Sequence, residues 1–176
     1  GRLDVLVNNA GVALAKSIDA HTDDDWERVF AINTRSVFVC TQAALPELRK
    51  TRGNVVSVSS MTALVGQPHG VAYTASKGAV VAFTKALALE LGPEGIRVNC
   101  ICPAGVDTPL MRSWAATQPD PDAVLAGQAA MHVLGRMATP EEIADVIHFV
   151  ASPAAGFITG TILPVEGGAT LGYRRA

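Results

Sequence analysis

The amino-acid sequence predicts an α/β protein in which a mostly parallel sheet is covered by helices on both faces. Short apolar runs, typical of buried strands, alternate along the chain with longer segments of helical periodicity, as in β-α-β crossovers. The apolar runs are continuous, as strands covered on both faces require. The predicted strands occupy residues 4–8, 54–58, 96–102 and 161–165.

Start and stop signals predict three long helices between these strands. The first covers residues 22–51, because Thr22 or Asp23 can cap it and acidic residues fill its first turn. The second covers residues 73–91 and ends at a Gly-Pro-Glu-Gly turn. The third covers residues 139–151, where a Thr-Pro-Glu-Glu start offers a capping threonine and a proline in the first position.

The composition is that of a globular protein without a strong electrostatic signature. Of the 176 residues, 49% are hydrophobic and 17% charged, and the formal net charge is −2, which suits one domain with a core. Because there is no lysine and arginine run and no apolar run long enough to span a bilayer, neither nucleic acid nor a membrane is expected as a partner.

Cysteine usage points to a reduced, cytoplasmic protein. The three cysteines are odd in number, and Cys100 and Cys102 lie in an apolar strand, which is typical of reduced core residues. No signal peptide is visible. No metal site is predicted, since no histidine follows the two strand cysteines at ligand spacing.

Four unusual segments lie at the carboxyl ends of the predicted strands. In parallel sheets, ligands bind beyond these carboxyl ends. We therefore expect the four segments to meet at one rim of the sheet and to form the functional site there. In chain order they are Asn8-Asn9-Ala10-Gly11, Ser59-Ser60, Pro103-Ala104-Gly105 and Glu166-Gly167-Gly168.

Tyr73 and Lys77 lie four residues apart on the second predicted helix and share one face. A phenol is a poor base at neutral pH, but a fixed ammonium group nearby lowers its pKa. Such a tyrosine can take a proton from an alcohol or give one to a carbonyl. Ser60, at the carboxyl end of the preceding strand, could hold the substrate oxygen. Taken alone, the spacing is weak, and an exposed pair at a helix start is the commoner explanation.

Asn33 lies on the apolar face of the first helix, with Val29 and Val37 one turn away on either side. A buried amide costs free energy unless it is hydrogen-bonded. Two interpretations follow: an amide satisfied within the core, or one that orders a water molecule or the lysine near the site. The position alone favours neither.

Together these motifs resemble the compact, single-domain branch of the short-chain dehydrogenase/reductase family. The resemblance implies a Rossmann-like doubly wound parallel sheet, of which the chain would hold the C-terminal portion, strands four to seven with their flanking helices. It also implies one partial NAD(P)-binding domain over residues 1–176, with either NAD or NADP as cofactor. The motifs that carry it are DVLVNNAG, NVVSVSS, AYTASKGA, IRVN, PAGVDTPL and FITGTILPVEGG.

The resemblance assigns roles to individual residues. Ser60 resembles the residue that hydrogen-bonds the substrate oxygen, and Tyr73 the general acid/base. Lys77 resembles the residue that binds the nicotinamide ribose and lowers the tyrosine pKa, and Asn33 the amide that completes the tetrad through a water molecule. No metal is implied. The implied cofactor contacts are Tyr73, Lys77, Asn9, Ala10, Gly11, Pro103, Val106 and Thr108.

Two features depart from the family pattern. The family usually has Pro-Gly where this chain has Pro103-Ala104, and alanine lacks the freedom of glycine at positive φ. The family also opens with a strand and a glycine-rich turn that cradles the pyrophosphate, and no such turn is found here. We therefore expect an N-terminally truncated chain that binds cofactor poorly alone and aggregates through the apolar edge at residues 4–8.

Helix 73–91 is apolar nearly all round, so we expect burial by the sheet on one side and by a partner subunit on the other. The resemblance implies a homodimer or homotetramer; burial by a loop of the chain is the alternative.

Residues 107–135, with three prolines, are predicted to form a largely irregular substrate lid with a short helix near 122–133. His69 and His132 could face the site, although lone histidines are usually structural or exposed.

The predicted function is an NAD(P)-dependent oxidoreductase that interconverts a small-molecule secondary alcohol and a ketone, with a 3-oxoacyl thioester as one candidate substrate. The alternative is a non-catalytic remnant that acts as an oligomerisation or binding module. A sugar-nucleotide epimerase of the extended branch shares Tyr-x-x-x-Lys but would need a larger C-terminal domain. All four tetrad positions are filled, and this favours the enzyme.

Overall fold

The computed structural model describes residues 1–172, which form one four-stranded sheet and six α-helices. Our expectation that Tyr173, Arg174 and Arg175 form a solvated tail concerns residues outside this range. The elements are β1 (Val5–Asn8), α1 (Asp23–Phe30), α2 (Ser36–Thr51), β2 (Asn54–Val58), α3 (Val71–Leu91), β3 (Arg97–Pro103), α4 (Pro109–Ala115), α5 (Pro121–Ala130), α6 (Pro140–Ala151) and β4 (Ile162–Val165).

All four strands are parallel and lie in the order β1-β2-β3-β4. The central pair is in register with Asn54 opposite Arg97, and Cys100 lies opposite Ile162 on the last strand. The predicted strands agree with the observed ones within one residue at each end. Because all strands run the same way, their carboxyl ends meet at one rim of the sheet, as the sequence predicted.

Helices cover both faces of the sheet. Val55 and Val98 are fully buried against α2 and α3, where they share a core cluster with Leu48. The residues before them, Asn54 and Arg97, bond the carboxyl-terminal end of α6 instead. Since neighbouring residues of a strand point to opposite faces, α6 lies on the face opposite α2 and α3. The predicted doubly wound α/β arrangement is therefore confirmed.

The helix starts follow the predicted capping signals, with one interruption. The Thr22 and Thr139 side chains both form capping boxes, at the starts of α1 and α6. The predicted continuous helix over residues 22–51 is interrupted, because residues Ala31–Arg35 form a π-helical segment between α1 and α2. The helix predicted over residues 73–91 begins two residues earlier, at Val71.

The segment over residues 107–135 is more helical than predicted: α5 corresponds to the short helix expected near residues 122–133, whereas α4 was not predicted. Each of these helices has a polar cap followed by proline in the first turn. Thr108 Oγ1 accepts from Met111 N at 3.1 Å, and Asp120 Oδ1 accepts from Ala123 N at 3.0 Å. The prolines therefore mark helix starts, where they are tolerated, rather than breaks.

The outer face of α3 carries apolar side chains that no part of residues 1–172 covers. Leu89 is 82% exposed, and Ala82 and Ala86 are exposed on the same helix. The alternative that a loop of the chain buries this face therefore does not hold for the described residues. Within those residues, none of the helices has the length and apolar character needed to cross a membrane.

Arg97 joins β3 to the end of α6 through its guanidinium group. Burial lowers the pKa of this group, and it is bonded to carbonyl oxygens rather than to a carboxylate. A charged donor that satisfies several buried carbonyl groups contributes more than a neutral hydrogen bond. The acceptors are Val150 O at 2.8 Å, Ile158 O at 3.2 Å, Ser152 O at 3.2 Å and Ala151 O at 3.4 Å.

Arg97→Met is expected to lower the free energy of unfolding by about 1–3 kcal/mol, because the carbonyl groups at the end of α6 lose their donor. Urea denaturation measures this loss. The matched control is Arg49→Met, which removes a surface pair with Glu94 and should cost less than about 1 kcal/mol. Equal losses in the two variants would contradict the assignment.

Candidate active site

The π-helical segment presents Asn33 to the turn that follows β1. The side chain is 1% exposed. Its Oδ1 accepts from Val12 N at 2.8 Å, and its Nδ2 donates to Val12 O at 2.9 Å and to Ser76 Oγ at 3.0 Å. The side-chain amide is thus satisfied by protein groups, which matches the first of the two interpretations of this residue. It ties the turn after β1 to α3.

Lys77 is held in a buried position beneath the same turn. Its ammonium group donates to Val58 O at 2.9 Å, and Ser59 Oγ donates to Lys77 O at 2.8 Å. The two bonds fasten α3 to the carboxyl end of β2. Lys77 is 5% exposed, and burial lowers the pKa of its ammonium group.

Gly11 allows the turn to approach both side chains closely. A Cβ atom at this position would lie 3.2 Å from Lys77 Nζ and 3.3 Å from Asn33 Oδ1. Such contacts are tighter than most Cβ atoms make, so a side chain here would require Lys77 or Asn33 to shift, which glycine avoids. Asn33, Lys77 and the turn are therefore brought together, as the motifs predicted.

Ser60 and Tyr73 lie at the same rim. Ser60 Oγ accepts from Thr62 N at 3.2 Å and from Thr62 Oγ1 at 3.1 Å. The proton of the Ser60 hydroxyl is thus left to be donated elsewhere. Lys77 Nζ lies 5.9 Å from the centroid of the Tyr73 ring. The serine, the phenol and the ammonium group consequently form one cluster.

The expectation that Lys77 lowers the pKa of Tyr73 is wrong for this structure. Burial raises the pKa of the Tyr73 phenol, and interaction with the Ser60 side chain opposes this shift without cancelling it. The physical reason is that burial disfavours the phenolate. The ammonium group of Lys77 is meanwhile directed at the carbonyl oxygen of Val58.

The predicted cofactor contacts lie along this rim. Asn9, Ala10 and Gly11 are exposed directly after β1. Pro103 ends β3 and is buried. Val106 and Thr108, which the family resemblance implies as contacts of the nicotinamide carboxamide, are engaged within the chain. Val106 forms a short parallel bridge with Ala138, and Thr108 caps α4.

Several residues of the site were missed from the sequence or left undecided. Thr62 donates to the Ser60 hydroxyl, and Ser76 accepts from Asn33. Ser76 lies within the motif AYTASKGA, whereas Thr62 follows NVVSVSS by two residues and carried no signal. His69 is exposed and has a positive φ of 57°, while its carbonyl oxygen accepts from Lys16 N at 2.8 Å. His132 is buried beside Gly105. Over residues 1–172 no cluster of three or more potential metal ligands is found.

Comparison with known proteins shows the family and the fold. A family model described as enoyl-(acyl carrier protein) reductase matches residues 1–170. The ligand-free aldohexose dehydrogenase of Thermoplasma acidophilum superposes with a TM-score of 0.94 at 33% identity, over 100% of this chain and 71% of that one. The fold is of the Rossmann type, and the chain belongs to the short-chain dehydrogenase/reductase family.

Curated relatives are similar over almost the whole chain. The L-fucose dehydrogenase of Bos taurus is 46% identical over 99% of this chain and 65% of its own length. The meso-2,3-butanediol dehydrogenase of Serratia marcescens is 42% identical over 97% of this chain and 65% of its own length. The chain therefore spans about 65% of the length of these relatives.

Asn33→Leu is expected to lower the free energy of unfolding by about 2–4 kcal/mol, because the polar groups of Val12 and Ser76 lose their partners. Chemical denaturation measures the loss. Asn9→Ala serves as the control, since that side chain is exposed in the same turn, and should change stability by no more than about 0.5 kcal/mol. A stable Asn33→Leu protein would show that the amide does not hold the turn.

The Tyr73 phenol is expected to titrate above its usual pKa in the chain without coenzyme, because burial raises its pKa. The folded chain then keeps this proton to higher pH than the unfolded chain does. Ultraviolet absorbance at alkaline pH, taken as the difference between the wild type and Tyr73→Phe, isolates this one phenol. Titration at or below the usual tyrosine value would overturn the direction.

Proposed function

We propose that the protein is an NAD(P)-dependent oxidoreductase that interconverts a secondary alcohol and a ketone. The observation that carries this proposal is the cluster of Ser60, Tyr73 and Lys77 at the carboxyl ends of β2 and β3. Its members are a hydroxyl that retains a proton to donate, a phenol and a buried ammonium group. This set can hold an alcohol oxygen and move one proton to or from it.

The residues present fit a nicotinamide coenzyme at this rim. The turn over residues 9–11 is exposed, and Gly11 leaves space directly above Lys77 and Asn33 that a side chain would fill. Lys77 uses one of its three protons on Val58 O, so it retains capacity to bind ribose hydroxyl groups. When bound, the coenzyme accepts or supplies the hydride. The residues do not indicate a preference for NAD or NADP.

The protein's own groups then have separate tasks. Ser60 donates its hydroxyl proton to the substrate oxygen and holds it near the phenol. Tyr73 takes the alcohol proton during oxidation and returns one to the carbonyl oxygen during reduction. Lys77 places a positive charge beside the phenol and retains protons that can bind the ribose hydroxyl groups of the coenzyme. Asn33 holds the turn against α3 and thereby fixes the position of Lys77.

The names of the relatives favour a small hydroxylated substrate. The two curated relatives are named as dehydrogenases of L-fucose and of meso-2,3-butanediol, and the solved structure as one of aldohexoses. We therefore place sugars and short diols ahead of a 3-oxoacyl thioester. A thioester stays in the substrate screen, because the matching family model is described as an enoyl-(acyl carrier protein) reductase.

The exposed face of α3 supports a homodimer or homotetramer as part of the same proposal. Leu89 on α3 and Phe38 on α2 are both large apolar side chains with at least half of their surface exposed. Helix faces of this kind are suited to pairing with a second copy. The free cysteines, two of them buried, agree with the expected cytoplasmic location.

Tyr73→Phe is expected to lower kcat for alcohol oxidation by about 10²–10⁴-fold, because the variant has no group that can accept the proton. Coenzyme binding, followed by energy transfer from Trp26 and Trp114 to NADH or NADPH, should change little. The control is Tyr173→Phe, at the only other tyrosine of the chain. Substrates for the assay are L-fucose, 2,3-butanediol and a 3-oxoacyl thioester.

The result also separates the enzyme from a non-catalytic module. Oxidation by the wild type should increase with pH, since only the phenolate accepts a proton. Weak but saturable coenzyme binding is what a chain without the glycine-rich turn should show, whereas a wild type with no saturable binding of either coenzyme would support the module. Equal turnover by the wild type and Tyr73→Phe would rule out the assigned proton transfer.

A further inference from the structure

His132 follows α5, at the end of the segment over residues 107–135, and is 1% exposed. Its Nε2 accepts from Gly105 N at 3.1 Å. Because a backbone N–H can only donate, Nε2 carries no proton, and the neutral ring has its proton on Nδ1. Nδ1 lies 2.9 Å from Gln128 O, to which it donates. Both ring nitrogens are therefore used inside the protein.

The partner of His132 lies in the loop that follows β3. Gly105 uses both of its backbone polar groups on one neighbouring segment: its N–H on His132, and its carbonyl oxygen on Ala138 N at 3.0 Å. Asp107 N donates to Ala138 O at 2.8 Å. A Cβ on Gly105 would lie 2.9 Å from His132 Cε1. The segment over residues 132–138 thus holds the backbone of the loop after β3 in place.

His132 also contacts the turn that follows β4. A Cβ on Gly167 would lie 3.2 Å from His132 Cδ2, and Leu134 N donates to Gly167 O at 3.1 Å. One imidazole ring is consequently packed between the loops after β3 and β4. Its position at the end of α5 connects both loops to the helices of the segment over residues 107–135.

We propose that His132 is a positioning residue that holds the loop over residues 103–108 in the form that binds the nicotinamide end of the coenzyme. The inference rests on the proposed function, because this loop contains Val106 and Thr108. His132 touches neither substrate nor coenzyme in this role. It acts through the N–H of Gly105.

His132 and Gly105 line a cleft of about 210 Å3, and the charged groups of this cleft are already engaged elsewhere. Arg136 pairs with Glu142 at 2.6 Å, and Glu166 Oε2 accepts from Thr170 N at 2.8 Å. On the loop itself, Asp107 pairs with Arg112.

Two substitutions separate the two ring nitrogens. His132→Gln keeps an acceptor near the Nε2 position and removes the donor to Gln128. His132→Asn keeps a donor near the Nδ1 position and leaves Gly105 N without a partner. Both replacements are polar and smaller than or similar to the ring, so their general effects on packing are comparable. His148→Gln, at an exposed position on α6, is the matched control.

The experiment measures KM for NADH and NADPH, kcat, and amide hydrogen exchange of residues 103–108 in the full chain. His132→Asn is expected to raise the coenzyme KM by about tenfold with little change in kcat, since an unpaired buried N–H loosens the loop. Exchange at Gly105 should accelerate in the same variant. His132→Gln should stay within about threefold of the wild type.

The outcomes distinguish this inference from the proposed function. If the wild type binds coenzyme and His132→Asn and His132→Gln raise KM equally, or neither does, His132 has no positioning role. If Gly105 exchange accelerates in His132→Asn while the coenzyme KM is unchanged, the loop does not control binding, and the inference is again wrong. A wild type that binds neither coenzyme would refute the proposed function itself.

Discussion

A buried ammonium group constrains the whole site. Lys77 lies at the carboxyl end of a parallel sheet with most of its surface removed from water, so its charge must be satisfied by fixed dipoles. The carbonyl oxygen of Val58 supplies one, and the helix that carries Lys77 is fastened to the same strand end by Ser59. Gly11 lets the turn after β1 close over the amine without displacing it, since a Cβ atom there would lie 3.2 Å from Lys77 Nζ. The relative positions of β2, α3 and the turn after β1 are thus linked through the ammonium group of Lys77.

The sequence predicted most of the sheet and helices because their signals are local. Continuous apolar runs specify strands covered on both faces, and the two capping boxes at Thr22 and Thr139 need only residues three positions apart. The errors have equally local causes. The prediction placed Pro109 in an irregular segment although it follows a capping residue, Thr108. The π-helical segment has no comparable signal, since its partner is the distant turn at Val12.

Within the candidate site, residue identities were more predictable than their electrostatics. Ser60, Tyr73 and Lys77 were predicted because their motifs lie at, or follow, the carboxyl end of β2. The structure brings the three side chains to one rim of the sheet. The pKa of Tyr73 was predicted in the wrong direction, because spacing along a helix shows a neighbouring charge but not the depth of burial. Whether His132 faces the site was left open in the sequence analysis for a related reason. Its partners Gly105 and Gly167 are distant along the chain and are glycines, which carry no chemical signal of their own.

The π-helical segment keeps the buried side chains of α1 and α2 in one straight row along the helix axis. Val29, Asn33, Val37 and Thr41 are all buried and lie four residues apart, whereas an α-helix advances 3.6 residues per turn, so such a stripe would wind slowly around its axis. A wider turn absorbs the surplus, because i→i+5 bonding takes more residues per turn. The phase of α2 relative to α1 is therefore set at Ala31–Arg35. Loss of one residue there would rotate all that follows by about 100°, and α1 and α2 could no longer face the sheet and α3 together.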